Sequence, residues 1–188
     1  WKDIPEFSEL NIVGGLLSSI ERKATGEIWF GTADGELLIY RPGQKVRKLD
    51  FGKSVPQWFP ISSLMEDSEG NCWIGGNGIL ILYNNGNTHY LNHRTSTGQK
   101  LSDYYITTQL EDNQGTIWAG SKNNGIIRIQ GNIHQPSDLK YTAYTPQNKR
   151  FPQVTIKCIF QDRSGRIWVG TDGKGLFWYN PSTDAFET

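Results

Sequence analysis

Four stretches of this chain are near-copies of one another, and that repetition narrows the choice of fold more than any other feature. KATGEIWFGTADGELLIYRPG begins at Lys23, DSEGNCWIGGNGILILYNNG at Asp67, DNQGTIWAGSKNNGIIRIQGN at Asp112 and DRSGRIWVGTDGKGLFWYNPS at Asp162. Each carries Gly-x-x-Trp-x-Gly, a short polar turn, a Gly and an apolar run. The tryptophans are Trp29, Trp73, Trp118 and Trp168, in steps of 44, 45 and 50 residues. A period of about 40–45 residues with several short strands per unit is that of β-propeller blades.

Each unit reads as a four-stranded antiparallel meander. The first strand precedes the Asp turn, at 17–21, 61–66, 106–111 and 156–161, and the second carries the Trp. The third is the apolar run, closed by hairpin-type turns such as Asn84-Asn85-Gly86 and Asn180-Pro181-Ser182. The fourth is the most variable: 46–51, 88–91, 140–144 and a stub at 184–188. No stretch sustains a 3.6-residue apolar period, so almost no helix is expected. The expectation is an all-β chain: a lead-in at 1–15, then blades at 16–51, 61–91, 104–145 and 154–188, the last with an incomplete outer strand.

Composition agrees. Seven Trp, eight Tyr, eight Phe and 21 Gly against a single Met suit short strands and many turns. Nineteen basic and nineteen acidic residues cancel, which removes any charge argument for nucleic acid or an anionic membrane. No apolar run approaches the roughly 20 residues of a membrane span. The chain opens on Trp1 with no visible signal peptide, so a piece of a longer polypeptide is expected.

The innermost strands carry small residues four positions before the Asp turn: Ser19, Ser63, Thr108 and Cys158. Two positions earlier stand Leu17, Ile61, Ile106 and Ile156. Strands converging on a propeller axis need such small side chains. Cys158 is thus the small residue of its blade, and Cys72 replaces Ile28, Ile117 and Ile167 in a buried slot; both are expected to be core thiols.

The pattern is clearest in Asp162-Arg163-Ser164-Gly165-Arg166-Ile167-Trp168-Val169-Gly170-Thr171, followed by Gly175-Leu176-Phe177-Trp178-Tyr179. It resembles the two-component regulator propeller repeat. That resemblance implies a seven-bladed type of propeller in the periplasmic sensor region of hybrid histidine kinases of Bacteroidetes. It also implies oligosaccharide ligands and kinase control of carbohydrate-use genes. Four blades are fewer than such sensors carry, so a fragment of a larger propeller is expected, with exposed strand edges that favour self-association. Two units depart from the pattern. The first has Lys23 at the Asp position, which predicts a looser turn, and the second has Gly76-Asn77 in place of Thr and a longer turn.

The repeated residues read as structural. Asp67, Asp112 and Asp162 each sit in a separate turn, where a carboxylate caps backbone N–H groups and cannot converge with its counterparts for acid–base work. One carboxylate per turn is also too few for calcium. Trp29, Trp73, Trp118 and Trp168 recur once per blade, as packing residues between blades must, and the Gly two residues on gives neighbouring backbone room. His89 and His93 have zinc-like spacing only for a helix, so solvent-exposed histidines are expected. No metal, cofactor or catalytic residue is assigned.

The resemblance implies that ligands meet the loops entering each innermost strand and the turns between strands two and three; the entering loops, where the repeat breaks, are Gln57-Trp58-Phe59-Pro60, Ser102-Asp103-Tyr104-Tyr105 and Lys149-Arg150-Phe151-Pro152. Trp58, Phe59, Tyr104, Tyr105 and Phe151 would stack on sugar rings while Asp103 and Arg150 meet hydroxyls. The alternative use of the same residues is plugging gaps between blades. Three classes follow: a non-enzymatic sensor, a propeller enzyme (quinone-dependent dehydrogenase, glycan hydrolase or lyase), and a dimerisation scaffold.

Overall fold

A computed structural model describes residues 15–52, 56 and 59–188. Among the described residues, sixteen strands form four separate four-stranded antiparallel sheets. Blade 1 holds β1 (Leu16–Glu21), β2 (Ile28–Thr32), β3 (Leu37–Tyr40) and β4 (Arg47–Lys48). Blade 2 holds β5 (Ile61–Glu66), β6 (Cys72–Gly76), β7 (Ile79–Asn84) and β8 (Asn87–Tyr90). Blade 3 holds β9 (Ile106–Glu111), β10 (Ile117–Ser121), β11 (Ile126–Gln130) and β12 (Lys140–Tyr144). Blade 4 holds β13 (Ile156–Gln161), β14 (Ile167–Thr171), β15 (Leu176–Asn180) and β16 (Ala185–Glu187). The described residues contain no α-helix, only single 3-10 turns at Leu101–Asp103 and Pro136–Asp138.

The core lies between the sheets. Three clusters of buried side chains fill the three inter-blade spaces. Trp29 packs with Phe59, Ile61, Cys72 and Ile74; Trp73 with Tyr104, Ile106 and Ile117; Trp118 with Phe151, Ile156, Ile167 and Phe186. Each tryptophan therefore belongs to the interface with the following blade. The glycine two residues on serves the same interface, but it receives a side chain rather than backbone. A Cβ on Gly75 or Gly120 would lie 2.6 Å from Cγ2 of Ile106 or Ile156.

Polar latches repeat alongside. The last side chains of β5, β9 and β13 each accept an amide from the preceding blade's turn. Lys23 N–H donates to Glu66 at 2.5 Å, Ser68 N–H to Glu111 at 2.6 Å and Asn113 N–H to Gln161 at 2.8 Å. Near the other end of these strands, the hydroxyls of Ser18, Ser62 and Thr107 donate to the carbonyls of Ile61, Ile106 and Ile156.

Blade 4 has the residues of this interface and no following blade upon them. Leu37, Leu80 and Ile126, each paired with the motif glycine of its blade, are fully buried, whereas Leu176 at the same register is 55% exposed. Phe160 is 61% exposed, while Ile20, Met65 and Leu110 at its position pack against the clusters. Cys158, expected in the core, is exposed for the same reason; Cys72 is buried as expected.

Three expectations about the turns and histidines are corrected. Strand register puts Arg22, not Lys23, at the Asp position, because the first turn is one residue longer. It is not loose: Arg22 is buried, its Nε donates to Glu66 at 2.9 Å, and its N–H bonds the Glu27 carbonyl at 2.8 Å. The same offset makes Leu16 and Ser18, not Leu17 and Ser19, the counterparts of Ile61 and Ser63. Blade 2 has a shorter connection between its second and third strands, just Asn77-Gly78 between the paired Gly76 and Ile79. His89 and His93 are half-buried: His89 bonds Asn84 at 3.1 Å and His93 stacks on Tyr141.

Candidate ligand-binding face

Each loop that leads into an innermost strand is pinned to its own blade. Its last carbonyl accepts the N–H that follows the second strand: Ala33 to Gly15, Asn77 to Pro60, Lys122 to Tyr105 and Asp172 to Thr155, at 2.9–3.3 Å. Tyr105 and Lys122 of blade 3 are thereby set level with Thr155 and Asp172 of blade 4. Between them lies a cavity of about 360 Å³, bordered as well by Ser62, Thr107 and Lys157.

The chemistry of this cavity is mixed. The Lys122 ammonium lies 5.7 Å from the Tyr105 ring centroid, and Lys157 pairs with Asp172 at 3.1 Å. Lys157 and Asp172 are both more than half exposed, so their pairing is weak and open to competition by a ligand. Lys157 stands where blades 2 and 3 have Ser62 and Thr107, whose hydroxyls are spent on the next blade. One aromatic ring, two ammonium groups, a carboxylate and Thr155 suit a hydroxyl-rich ligand with one apolar face.

The loop residues singled out from sequence divide into two groups. Phe59, Tyr104 and Phe151 are buried plugs between blades, and none of them lines the cavity beside Tyr105. Phe59 belongs to the interface of blades 1 and 2, Tyr104 to that of blades 2 and 3, and Phe151 to that of blades 3 and 4. Tyr105, the neighbour of Tyr104, points the other way and lines the cavity. Asp103 is exposed, its carboxylate accepting the Lys100 N–H at 3.1 Å. Arg150 lies apart, salt-bridged to Asp184 at 2.6 Å and bordering a separate cavity with Lys149 and Lys174. Trp58 lies outside the described residues.

Sequence reasoning missed Lys122, Thr155, Lys157 and Asp172. A signal was present: Ala33, Asn77, Lys122 and Asp172 align, and this column varies in charge where the preceding one, Thr32, Gly76, Ser121 and Thr171, does not.

The repeat aspartates do structural work in their own turns. Asp112 Oδ1 accepts the N–H groups of Gln114 and Thr116, and Oδ2 accepts the Trp118 indole at 2.9 Å. Asp162 does the same for Ser164, Arg166 and Trp168. Bonds from the Ser164 hydroxyl and the Trp168 indole hold its carboxyl well below the usual carboxylate range. In blade 1, where Arg22 displaces the Asp, Glu27 accepts the Trp29 indole at 3.1 Å, and the Arg22 guanidinium lies 4.7 Å over the Trp29 ring.

These blades define a β-propeller architecture. Residues 60–78, 100–123 and 150–173 match the two-component regulator propeller family. The matched segments fall in the second, third and fourth units; the first unit, with its altered turn, lies outside them. Among solved structures, the chain is similar to the extracellular domain of a protein described as a hybrid two-component system of B. thetaiotaomicron. That likeness has 23% identity and a TM-score of 0.67, over 89% of this chain and 22% of that one. It is also similar to PorZ, a surface component of the type-IX secretion system of Porphyromonas gingivalis, with 14% identity and a TM-score of 0.68, over 92% of this chain and 27% of that one. A third likeness is to virginiamycin B lyase of Staphylococcus aureus, with 15% identity and a TM-score of 0.69, over 94% of this chain and 56% of that one. At these identities the likeness is one of fold, and it spans from about a fifth to about half of each solved chain. Among curated proteins none matches.

Proposed function

We propose that this chain is a non-enzymatic, ligand-sensing part of the propeller of a two-component signalling protein, acting in the periplasm. Its ligand is an oligosaccharide. The observation that carries the reading is the cavity around Tyr105, where an aromatic ring and competing charges converge from two blades at the loop-bearing face. The family match supports the signalling context. Use of Asp67, Asp112 and Asp162 within their own turns supports binding rather than catalysis.

The propeller is larger than four blades in this reading, and the open face of blade 4 receives another blade. Three interfaces within the chain support this, because each specifies the missing partner. It presents an aliphatic side chain to Gly170 and a Glu or Gln to the Arg163 N–H, and it covers Phe160 and Leu176. Where no such blade is available, copies of the chain associate, so light scattering should show oligomers that grow with concentration. A strict monomer at all concentrations would contradict it.

The ligand reading is tested by thermal shift with digests of plant and host polysaccharides. A digest that raises the melting temperature of the wild type but not of Tyr105→Ala supports it. Equal shifts in both place binding elsewhere.

A further inference from the structure

The linkers that carry the chain from one blade to the next run along the outer strand of the blade they enter. In linker 91–105, the Ser96 N–H donates to the Tyr141 carbonyl of β12 at 2.7 Å, and its hydroxyl accepts the Ala143 N–H at 3.0 Å. Linker 145–155 is shorter and meets β16 at the Arg150 carbonyl, which accepts the Phe186 N–H at 3.2 Å. Beside this contact lies a cavity of about 610 Å³, bordered by Lys149 and Arg150 of the linker and by Lys174 of the turn between β14 and β15. Its floor is the edges of three buried rings, with the Phe151 centroid 5.1 Å from that of Phe177 and 5.4 Å from that of Phe186. These rings belong to the cluster between blades 3 and 4. Phe177 therefore points to the opposite side of β15 from its neighbours Leu176 and Trp178, and the cavity lies away from the open face of blade 4.

Three cations and no carboxylate border the cavity. Arg150 is partly neutralised by Asp184 at 2.6 Å, a carboxylate that Arg128 shares. Lys149 and Lys174 are exposed, and among the described residues neither forms an ion pair or a side-chain hydrogen bond. The linker fixes the backbone at Lys149 from both sides. Asn148 Oδ1 accepts the N–H groups of Thr145 and Arg150 at 2.9 and 3.2 Å, and the Thr145 carbonyl accepts those of Arg150 and Phe151. Lys149 itself sits at a φ of 60°, a left-handed conformation that Gly or Asn adopts at less cost. An exposed lysine there brings strain without burial, and what it adds to the turn is its charge.

Ammonium groups act as point charges and suit an anion whose oxygens point several ways, as in phosphate, whereas a guanidinium fork matches a planar carboxylate. With Arg150 offset by Asp184, the lysines leave about two positive charges, which match a phosphate monoester near neutral pH. Pro146, Pro152 and the phenylalanine edges offer the rest of such a ligand an apolar surface. We propose that this cavity binds a phosphate monoester with an apolar body, its phosphate between Lys149 and Lys174 and its body against Phe177 and Phe186. The site is separate from the one around Tyr105 and does not rest on that reading.

Calorimetric titration of the whole chain with phenyl phosphate tests it, with phenyl sulfate, benzyl alcohol and sodium phosphate as comparisons. Phenyl phosphate should bind saturably, and more tightly than any of the three. Lys149→Gln/Lys174→Gln should weaken it by about tenfold or more, since each lysine supplies a charge-assisted hydrogen bond. Both lysines are exposed, so this variant should melt as the wild type does. Tyr105→Ala should leave the binding unchanged, which separates this site from the other. The proposal is overturned if phenyl phosphate fails to bind up to about 10 mM, or if the double variant binds it as the wild type does. Phenyl sulfate binding as tightly would overturn the assignment to a dianion. Equal binding of sodium phosphate would reduce the cavity to a simple anion site, and equal binding of benzyl alcohol would remove any part for the charges; either result overturns the proposal.

Discussion

The carboxylate of Asp67 accepts the indole N–H of Trp73 at 2.9 Å, joining the turn of a blade to the side chain that packs against the next. The same carboxylate accepts the N–H groups of Glu69 and Asn71 and is itself buried. Asp67→Ala would strand a buried indole donor and two turn amides. A loss of about 3 kcal/mol is expected in urea unfolding, since a buried unsatisfied group costs roughly 1–3 kcal/mol and bonds to a charged group are the stronger ones. Asp162→Ala should cost less, because Trp168 is half-buried and water can replace the carboxylate. Equal losses at the two sites would refute this account of the pair.

The motif glycines make a sharper comparison within one chain. Gly120→Ala forces a methyl group to within 2.6 Å of Ile156, whose β-branched side chain is fixed in the core. A loss of about 2 kcal/mol is expected, as for other overpacked sites. At Gly170 the added Cβ meets only the Sγ of Cys158, an exposed side chain free to turn away. Gly170→Ala should stay within about 0.5 kcal/mol of wild type. Parallel melting curves for the two variants would count against the open face of blade 4.

Acid should unfold the protein through carboxylates that the fold holds ionised. Burial pushes the Asp184 carboxyl up, but bonds from the Tyr144 and Tyr179 hydroxyls and the charges of Arg128 and Arg150 outweigh it, so the group titrates below its ordinary value. Asp162 is shifted in the same direction. A depressed folded pKa gives stability that is complete above the unfolded value of about 4 and lost as pH falls below it. Unfolding midpoints should therefore be flat near neutrality and drop below about pH 4. Asp184→Asn should show a shallower acid decline; an unaltered slope would show that this cluster does not drive it.

The two thiols should behave oppositely. Burial pushes the Cys72 thiol up to about 12, whereas Cys158 is exposed on blade 4. Iodoacetamide at mildly alkaline pH should modify Cys158 in the folded chain and reach Cys72 only in denaturant. Protection of Cys158 that grows with protein concentration would report a blade or a second copy covering that face.

The repeat was legible because Trp and Gly recur at fixed spacing, and it placed the innermost strands of blades 2 to 4 correctly. The pairing of Asp with Trp was not read, since six residues of separation do not reveal that a turn folds one side chain onto the other. The shift from Lys23 to Arg22 was hidden by one extra residue, which an alignment anchored on Gly26 and Trp29 assigns to the wrong side of the turn. At the candidate face around Tyr105 the difficulty was orientation. Tyr104 and Tyr105 are adjacent, and loops lack the alternation that tells an inward ring from an outward one. Lys122 and Asp172 stand in the turns between strands two and three, which belong to the expected face, but they were not singled out because those turns lie inside the repeat and carry no aromatic ring.

The central claim, that the face around Tyr105 binds an oligosaccharide, is tested most directly by calorimetric titration of an active polysaccharide digest into the wild-type chain and into a Tyr105→Ala/Lys122→Ala variant. Both residues are partly or fully solvent-accessible, so the variant should keep its fold, checked by its melting temperature. Saturable heat in the wild type that disappears in the variant is the expected result. The same binding heat in both, with both chains folded, would contradict the assignment.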